Sequence, residues 1–240
     1  MISEKWMQIS NGKISNVYLL YGTEAYFIEE TIKKLKNKLE EDGEAEVIYF
    51  DLEEKNIEHV IYEADTLPFF SEKKLIIAKN AFFLKASEKG KEKIVHDTAL
   101  LESWLKDPSS TAIVVFVAPY EKLDERKKIT KAIKQTANVI EAAGLQIHDL
   151  KSWVLHEVSN EGKTITDEGI ERLIESGGTN LVHLRTEIAK ISTYIGEENE
   201  IDADTVKSLL VRTLEEDVFT LGNAYLSGRK SEAMAIYHDL

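Results

Sequence analysis

The run Gly22-Thr23-Glu24-Ala25-Tyr26-Phe27-Ile28-Glu29-Glu30 stands where a strand, a turn and a helix would together bind phosphate. Strand formers Val17-Tyr18-Leu19-Leu20-Tyr21 lead into a single glycine, and an amphipathic helical pattern follows from about Glu24. That is the order in which a P-loop domain opens. Phosphate chemistry at such a turn needs a second glycine for close backbone approach, a lysine for the β- and γ-phosphates and a hydroxyl for magnesium, in the spacing GxxxxGK[ST]. None of these follows Gly22. Three glutamates and two bulky aromatics take their place, and like charge repels a triphosphate. The sequence therefore predicts a nucleotide-hydrolase scaffold with a degenerate P-loop, no bound cofactor and no nucleotide chemistry of its own.

Other chemistry is weakly supported. Asp51, Glu53 and Glu54 follow an apolar run and have the residue types of a magnesium-holding acidic group, but without a phosphate loop they read as solvated strand-end acids. The six histidines (His59, His96, His148, His156, His183 and His238) show no HExxH and no other zinc spacing. No GxSxG elbow and no SxxK sequence supplies a nucleophile. The absence of cysteine removes disulfides, thiolate nucleophiles and cysteine-bound metals. No catalytic residue and no metal site is expected.

Two segments suggest contacts with macromolecules. Lys122, Arg126, Lys127, Lys128, Lys131 and Lys134 form the densest basic cluster, on a helix predicted over 125–135. Either this is a solvated helix face, or Arg126, Lys127 and Lys131 touch DNA or an acidic partner. The connector Thr66-Leu67-Pro68-Phe69-Phe70-Ser71 joins a helix to a strand, and Pro68 interrupts regular structure just before two adjacent phenylalanines. Both rings pack inward, or at least one is an exposed anchor of the kind that marks protein interfaces.

The elements that must position these residues follow from periodicity. Up to about residue 143, apolar runs at 17–21, 46–50, 75–78, 112–117 and 138–141 alternate with helical patterns. The first helix carries Ile28, Ile32, Leu35 and Leu39 on one stripe. Others are expected near 56–65, within 90–106 and over 125–135. Continuously apolar strands indicate a parallel sheet covered on both faces, in a doubly wound α/β domain. After Ala143-Gly144 no convincing strand occurs. Helices are expected at 148–160, 167–176, 180–195 and 203–211, with Thr166 as an N-cap and Gly177-Gly178 as a stop. A further helical region begins at Glu215 and is still helix-like at Leu240, as if a third element were cut short.

Composition narrows the partners. The 240 residues carry a net charge of −13, spread as 25 acidic against 21 basic residues in 1–143 and 18 against 9 in 144–240. A protein that grips phosphate backbones by itself usually has the opposite sign. With 43% hydrophobic and 30% charged residues the chain reads as globular. It has no apolar run long enough to span a membrane, and Met1-Ile2-Ser3-Glu4-Lys5-Trp6 lacks a signal-peptide pattern. A cytoplasmic address is expected.

Four stretches in order resemble one family. They are Val17-Tyr18-Leu19-Leu20-Tyr21-Gly22-Thr23-Glu24-Ala25-Tyr26; Leu67-Pro68-Phe69-Phe70-Ser71-Glu72-Lys73-Lys74-Leu75; Val115-Phe116-Val117 to Pro119 with Lys122-Leu123-Asp124-Glu125-Arg126-Lys127-Lys128; and Asn180-Leu181-Val182-His183-Leu184-Arg185-Thr186-Glu187-Ile188-Ala189-Lys190-Ile191. Together they are similar to the delta subunit of the bacterial DNA polymerase III clamp loader, over essentially the whole chain.

The resemblance implies an AAA+-like α/β domain at 1–143, a small all-helical lid domain at 144–212 and the beginning of a truncated helical collar domain at 213–240. It implies a subunit that binds the sliding clamp (the beta subunit) and holds its ring interface open for loading onto primed DNA, without hydrolysing ATP itself. The other implied partners are the gamma/tau ATPase subunits and delta prime. Lys79-Asn80 falls where an active relative has an acidic pair. The clamp-binding element maps to Pro68 and Phe69, flanked by Leu67 and Phe70, with proline in the place of a leucine found in some members and Phe69 as the first choice for the inserted ring. Two alternatives stand beside this reading: a P-loop-class enzyme that binds nucleotide through a non-standard loop, and a DNA-binding module using the basic helix 125–135.

Overall fold

A computed structural model describes residues 2–41, 43, 46–69, 72–86 and 94–210, together with Tyr225, Lys230, Met234 and Tyr237. The chain divides into two compact units, Met1–Gly144 and Leu145–Leu240. Among the described residues, no helix is long and apolar enough to cross a membrane.

In the first unit the five apolar runs become β1 (Val17–Tyr21), β2 (Glu46–Asp51), β3 (Lys74–Lys79), β4 (Ala112–Ala118) and β5 (Asn138–Glu141). They form one parallel sheet in the order β2-β3-β4-β1-β5. All seven residues of β4 are buried, whereas β2, at an edge, is mostly half-buried. That contrast is what full helical cover of central strands requires. Leu19, Ile76, Val114 and Phe116 meet Trp104 and Ile133 in the core. Each fully buried aliphatic side chain there contributes about 1.5–3 kcal/mol.

The helices are α1 (Ile2–Ser10), α2 (Ala25–Glu41), α3 (Ile57–Asp65), α4 (Thr98–Trp104) and α5 (Lys128–Thr136). Helix α1 carries Ile2, Trp6 and Ile9 at spacings of four and three, and its packing explains a departure in α2 from the expected stripe. The buried stripe there runs through Ile28, Thr31, Leu35 and Leu39, while Ile32 is only half-buried. Trp6 of α1 donates its indole N–H to the Thr31 hydroxyl at 2.8 Å, and that hydroxyl donates to the Phe27 carbonyl. A threonine satisfied in this way is buried at little cost. Helix α5 starts three residues later than the expected 125, because Asp124 and Arg126 are committed to a turn of their own.

The second unit contains α6 (Ile147–Asn160), α7 (Asp167–Gly177), α8 (Leu181–Ile195) and α9 (Ala203–Leu209). Thr166, Asn180 and Asp202 cap three of these helices, accepting from the backbone N–H of Gly169, His183 and Thr205. Helix α7 ends at Gly178, whose φ of 68° favours glycine. The expectation of an all-helical unit needs correction. β6 (Thr164–Ile165) pairs in parallel with β7 (Glu200–Ile201), and the Lys163 ammonium secures the approach by donating to the carbonyls of Gly196 and Glu198, both at 2.6 Å. Two-residue strands are too short for periodicity to reveal. Apart from Tyr225, Lys230, Met234 and Tyr237, the element expected over 213–240 lies outside the described residues.

Candidate functional site

Open α/β sheets bind ligands beyond the carboxyl ends of their strands, and here that position follows β1. Gly22 takes φ 128° and donates its N–H to the Ala118 carbonyl at 3.2 Å. The backbone of Ala142, just past β5, closes over the turn. Its N–H donates to the Tyr21 carbonyl at 2.6 Å, and its carbonyl accepts from Glu24 N–H at 3.0 Å. The first turn of α2 is served by a carboxylate, since Glu24 Oε1 accepts from Tyr26 N–H at 3.2 Å. A side-chain anion thus holds the helix terminus that would otherwise attract phosphate. Burial pushes the Glu24 carboxyl above its ordinary range, against the pull of that hydrogen bond.

Charges of both signs lie near the turn, with the Lys134 ammonium 5.1 Å from the centre of the Tyr21 ring and the Lys85 ammonium 5.3 Å from that of Tyr120. Burial, and then the neighbouring Glu141, push the Tyr21 hydroxyl up to about 12. Tyr120 is also raised to about 12, by burial first and then by the charges of Glu53 and Asp51. Asp51 is occupied structurally: its Oδ1 accepts from Asn80 Nδ2 and from Glu53 N–H, both at 2.9 Å. Asn80 supports this contact from a left-handed conformation, φ 59°, which asparagine tolerates. Lys79 holds its ammonium 5.3 Å from the centre of the Tyr49 ring. Among the described residues, no group of three or more histidines or acids is placed to hold a metal ion.

The connector between α3 and β3 has a different character. Leu67 is 74% exposed and Phe69 86% exposed. Pro68 is half-buried, and Phe70 lies outside the described residues. The root of the connector is tightly held. Lys74, at the start of β3, is 1% exposed. Its ammonium donates to the Glu63 carbonyl (2.6 Å), to Glu63 Oε1 (2.7 Å) and to Thr66 Oγ1 (2.6 Å). Trp104 Nε1–H donates to Asp65 Oδ1 at 2.9 Å, fixing the end of α3 from a second side. Nearer the tip, Phe69 N–H donates to Glu46 Oε2 at 3.3 Å.

The burial of Lys74 is not announced by the sequence, where it is one of three consecutive charged residues, Glu72-Lys73-Lys74.

The three candidate basic residues separate. Arg126 precedes α5 and is bound to Asp124, with Nε to Oδ1 and Nη2 to Oδ2 both at 2.9 Å. Lys127 occupies the N-cap position of α5 and turns its ammonium to the carbonyls of Phe83 (2.9 Å) and Lys85 (3.2 Å). Lys131 is exposed on α5.

The family model for the delta subunit of DNA polymerase III matches residues 18–143. Over its whole length the chain is 38% identical to DNA polymerase III subunit delta of Bacillus subtilis (strain 168), covering 70% of that protein. The chain belongs to the DNA polymerase III delta-subunit family. The solved Bacillus subtilis DNA clamp loader delta protein matches it with a TM-score of 0.83 and 37% identity, over 100% of this chain and 71% of that one. The Thermotoga maritima RuvB Holliday junction branch migration motor matches with a TM-score of 0.51 at 11% identity, over 98% of this chain and 80% of that one. At that identity the likeness speaks for the fold alone, which is AAA+-like. This delta-family chain has an AAA+-like fold and fills the turn after β1 with its own backbone and a carboxylate.

Proposed function

We propose that this chain acts in a clamp loader by binding the sliding clamp through Leu67, Pro68, Phe69 and Phe70, and that it holds a ring interface open for loading onto primed DNA without hydrolysing ATP. The observation that carries this reading is the 86% exposure of Phe69 on a connector whose root is fixed by a buried ion. An aromatic ring offered to solvent from an ordered root buries much area on binding and loses little rotamer entropy. Seating it in an apolar pocket contributes about 2–3 kcal/mol. A clamp interface that is only marginally closed is biased open if the bound shape fits the relaxed ring better, so differential binding suffices.

The gamma/tau ATPase subunits and delta prime are the proposed neighbours in the complex, and the cytoplasm its proposed location. Residues 1–143 would supply the AAA+-like domain, 144–212 the lid and 213–240 the start of the collar. The reading without ATP hydrolysis is supported by Glu24 at the α2 terminus, whose carboxylate opposes a triphosphate there and weighs against the nucleotide-enzyme alternative. The DNA-binding alternative loses support because Lys127 turns its ammonium to backbone carbonyls and the exposed Arg126 guanidinium is already paired with Asp124, leaving Lys131 as the exposed candidate without such a pairing among the described residues.

The test is equilibrium binding of the chain to its cognate sliding clamp, beside Phe69→Ala and the Phe69→Ala, Phe70→Ala double variant. The expected result is tight binding by the parent and a loss of roughly 2 kcal/mol, about thirtyfold, in the variants. A folded parent that does not bind, or variants that bind as tightly as the parent, would overturn the reading.

A further inference from the structure

We infer that Lys74 is a positioning residue for partner binding: its buried ammonium holds both ends of the 66–73 connector in one frame and so presents Leu67 and Phe69 in their binding orientation. The inference rests on the clamp-binding reading and specifies how that site is built.

The geometry is economical. An ammonium has three N–H donors, and Lys74 directs its bonds to three acceptors, all in the last turn of α3 or its cap: Glu63 O, Glu63 Oε1 and Thr66 Oγ1. Thr66 is itself tied back, with its backbone N–H and its hydroxyl both donating to the Glu63 carbonyl. At the other end of the connector, the Lys74 backbone N–H donates to the Thr111 carbonyl at 2.9 Å. Lys74 is also in register with Glu46 on one side and Ala112 on the other. Glu46 is the residue whose carboxylate accepts from Phe69 N–H. One side chain therefore joins the exit of α3 to the start of β3, beside the strand residue that touches the exposed phenylalanine.

Stability alone gives no reason for a cation here. Desolvating an ammonium is costly, and a well-packed apolar side chain in place of a buried ion pair is often neutral or stabilising. What the ion adds is direction: three convergent, charge-assisted bonds fix the α3 exit more narrowly than apolar packing can. An α3 exit fixed before binding avoids the entropy cost of fixing it at the interface.

Lys74→Met keeps the length and the apolar stem of the side chain. The fold should tolerate it, because the Glu63 side chain is 28% exposed and water can replace the ammonium at its carboxylate. The experiment measures clamp affinity for Lys74→Met in both the parent and the Phe69→Ala background, together with the rate of chymotryptic cleavage at the Phe69–Phe70 bond. Positioning predicts affinity about tenfold weaker in the parent background and nearly unchanged in the Phe69→Ala background. It also predicts cleavage that is faster by more than the accompanying fall in the urea midpoint accounts for. A purely structural role would lower affinity equally in both backgrounds.

Thr66→Val and Thr66→Ser provide a second route should Lys74→Met fail to fold. Valine removes one acceptor and should act as Lys74→Met does, and serine keeps the hydroxyl and should behave as the parent. Equal penalties in the two backgrounds, or unchanged affinity and cleavage, would sink the inference. A parent that never binds the clamp would instead sink the clamp-binding reading, and the cleavage rates alone would then decide whether Lys74 orders the connector.

Discussion

A Cβ built on Gly22 would lie 2.1 Å from the carbonyl oxygen of Ala142. The contact is backbone against backbone, so no side-chain rotation relieves it, and the φ of 128° at Gly22 is itself unfavourable for any residue with a side chain. Gly22 is therefore required by the closure of Ala142 over the turn. We expect Gly22→Ala to cost at least about 2 kcal/mol, read as a fall in the urea midpoint at unchanged slope. A cost below about 0.5 kcal/mol would mean that the turn can move away from Ala142.

The Asp124–Arg126 pair sets a pH dependence with a definite sign. Hydrogen bonds from the Arg126 guanidinium, and then from the Arg126 backbone N–H, hold the Asp124 carboxyl down to about 2, from an ordinary 3.8. A depressed folded pKa means that the ionised form favours the fold. The contribution is fully present above about pH 4 and disappears as the pH falls through 2. Asp124→Asn should thus be less stable than the parent at neutral pH, and the two unfolding free energies should converge as the pH falls from 4 towards 2. Parallel curves down to pH 2 would show that the pair adds no pH-dependent stability.

Exposure of Phe69 separates binding from folding. Its ring buries little in the chain itself, so Phe69→Ala should leave the urea midpoint within about 0.5 kcal/mol of the parent while weakening the clamp complex. If thermal or urea unfolding shifts by much more, the ring contributes to folding and the binding loss cannot be assigned to the interface.

The sheet was legible because its strands are long and uniformly apolar. Ile113 to Val117 allow no other reading, and Gly22 and Glu24 together revealed the altered turn. The exposed connector was half legible: Pro68 before two phenylalanines pointed to an anchor, but only the structure turns Phe69 outward and Lys74 inward. Pairing across distance escaped the sequence. Trp6 with Thr31, Lys163 with the carbonyls before β7, and Lys127 with the Phe83 and Lys85 carbonyls join positions that no local period connects. The basic run 126–131 stayed ambiguous for a related reason, because hydrophilic spacing cannot tell an exposed lysine from one committed to a carbonyl.

That last distinction gives opposite expectations for neighbouring residues. Lys127 donates to two carbonyls from a half-buried position, so Lys127→Met should cost about 1 kcal/mol of stability. Lys131 is exposed on α5, and Lys131→Met should change stability by less than about 0.5 kcal/mol. If α5 contributes to DNA contact in an assembled loader, the order reverses. Lys131→Met should reduce the salt dependence of DNA binding by roughly one unit of slope. Arg126→Ala should reduce it less, because Asp124 already neutralises that guanidinium. Lys127→Met should leave the slope unchanged, its charge being spent on the fold. Salt titrations of DNA binding by loaders carrying each variant, set beside urea unfolding of the chain, measure both effects. A slope that falls with Lys127→Met and not with Lys131→Met would show that α5 meets DNA through a different face.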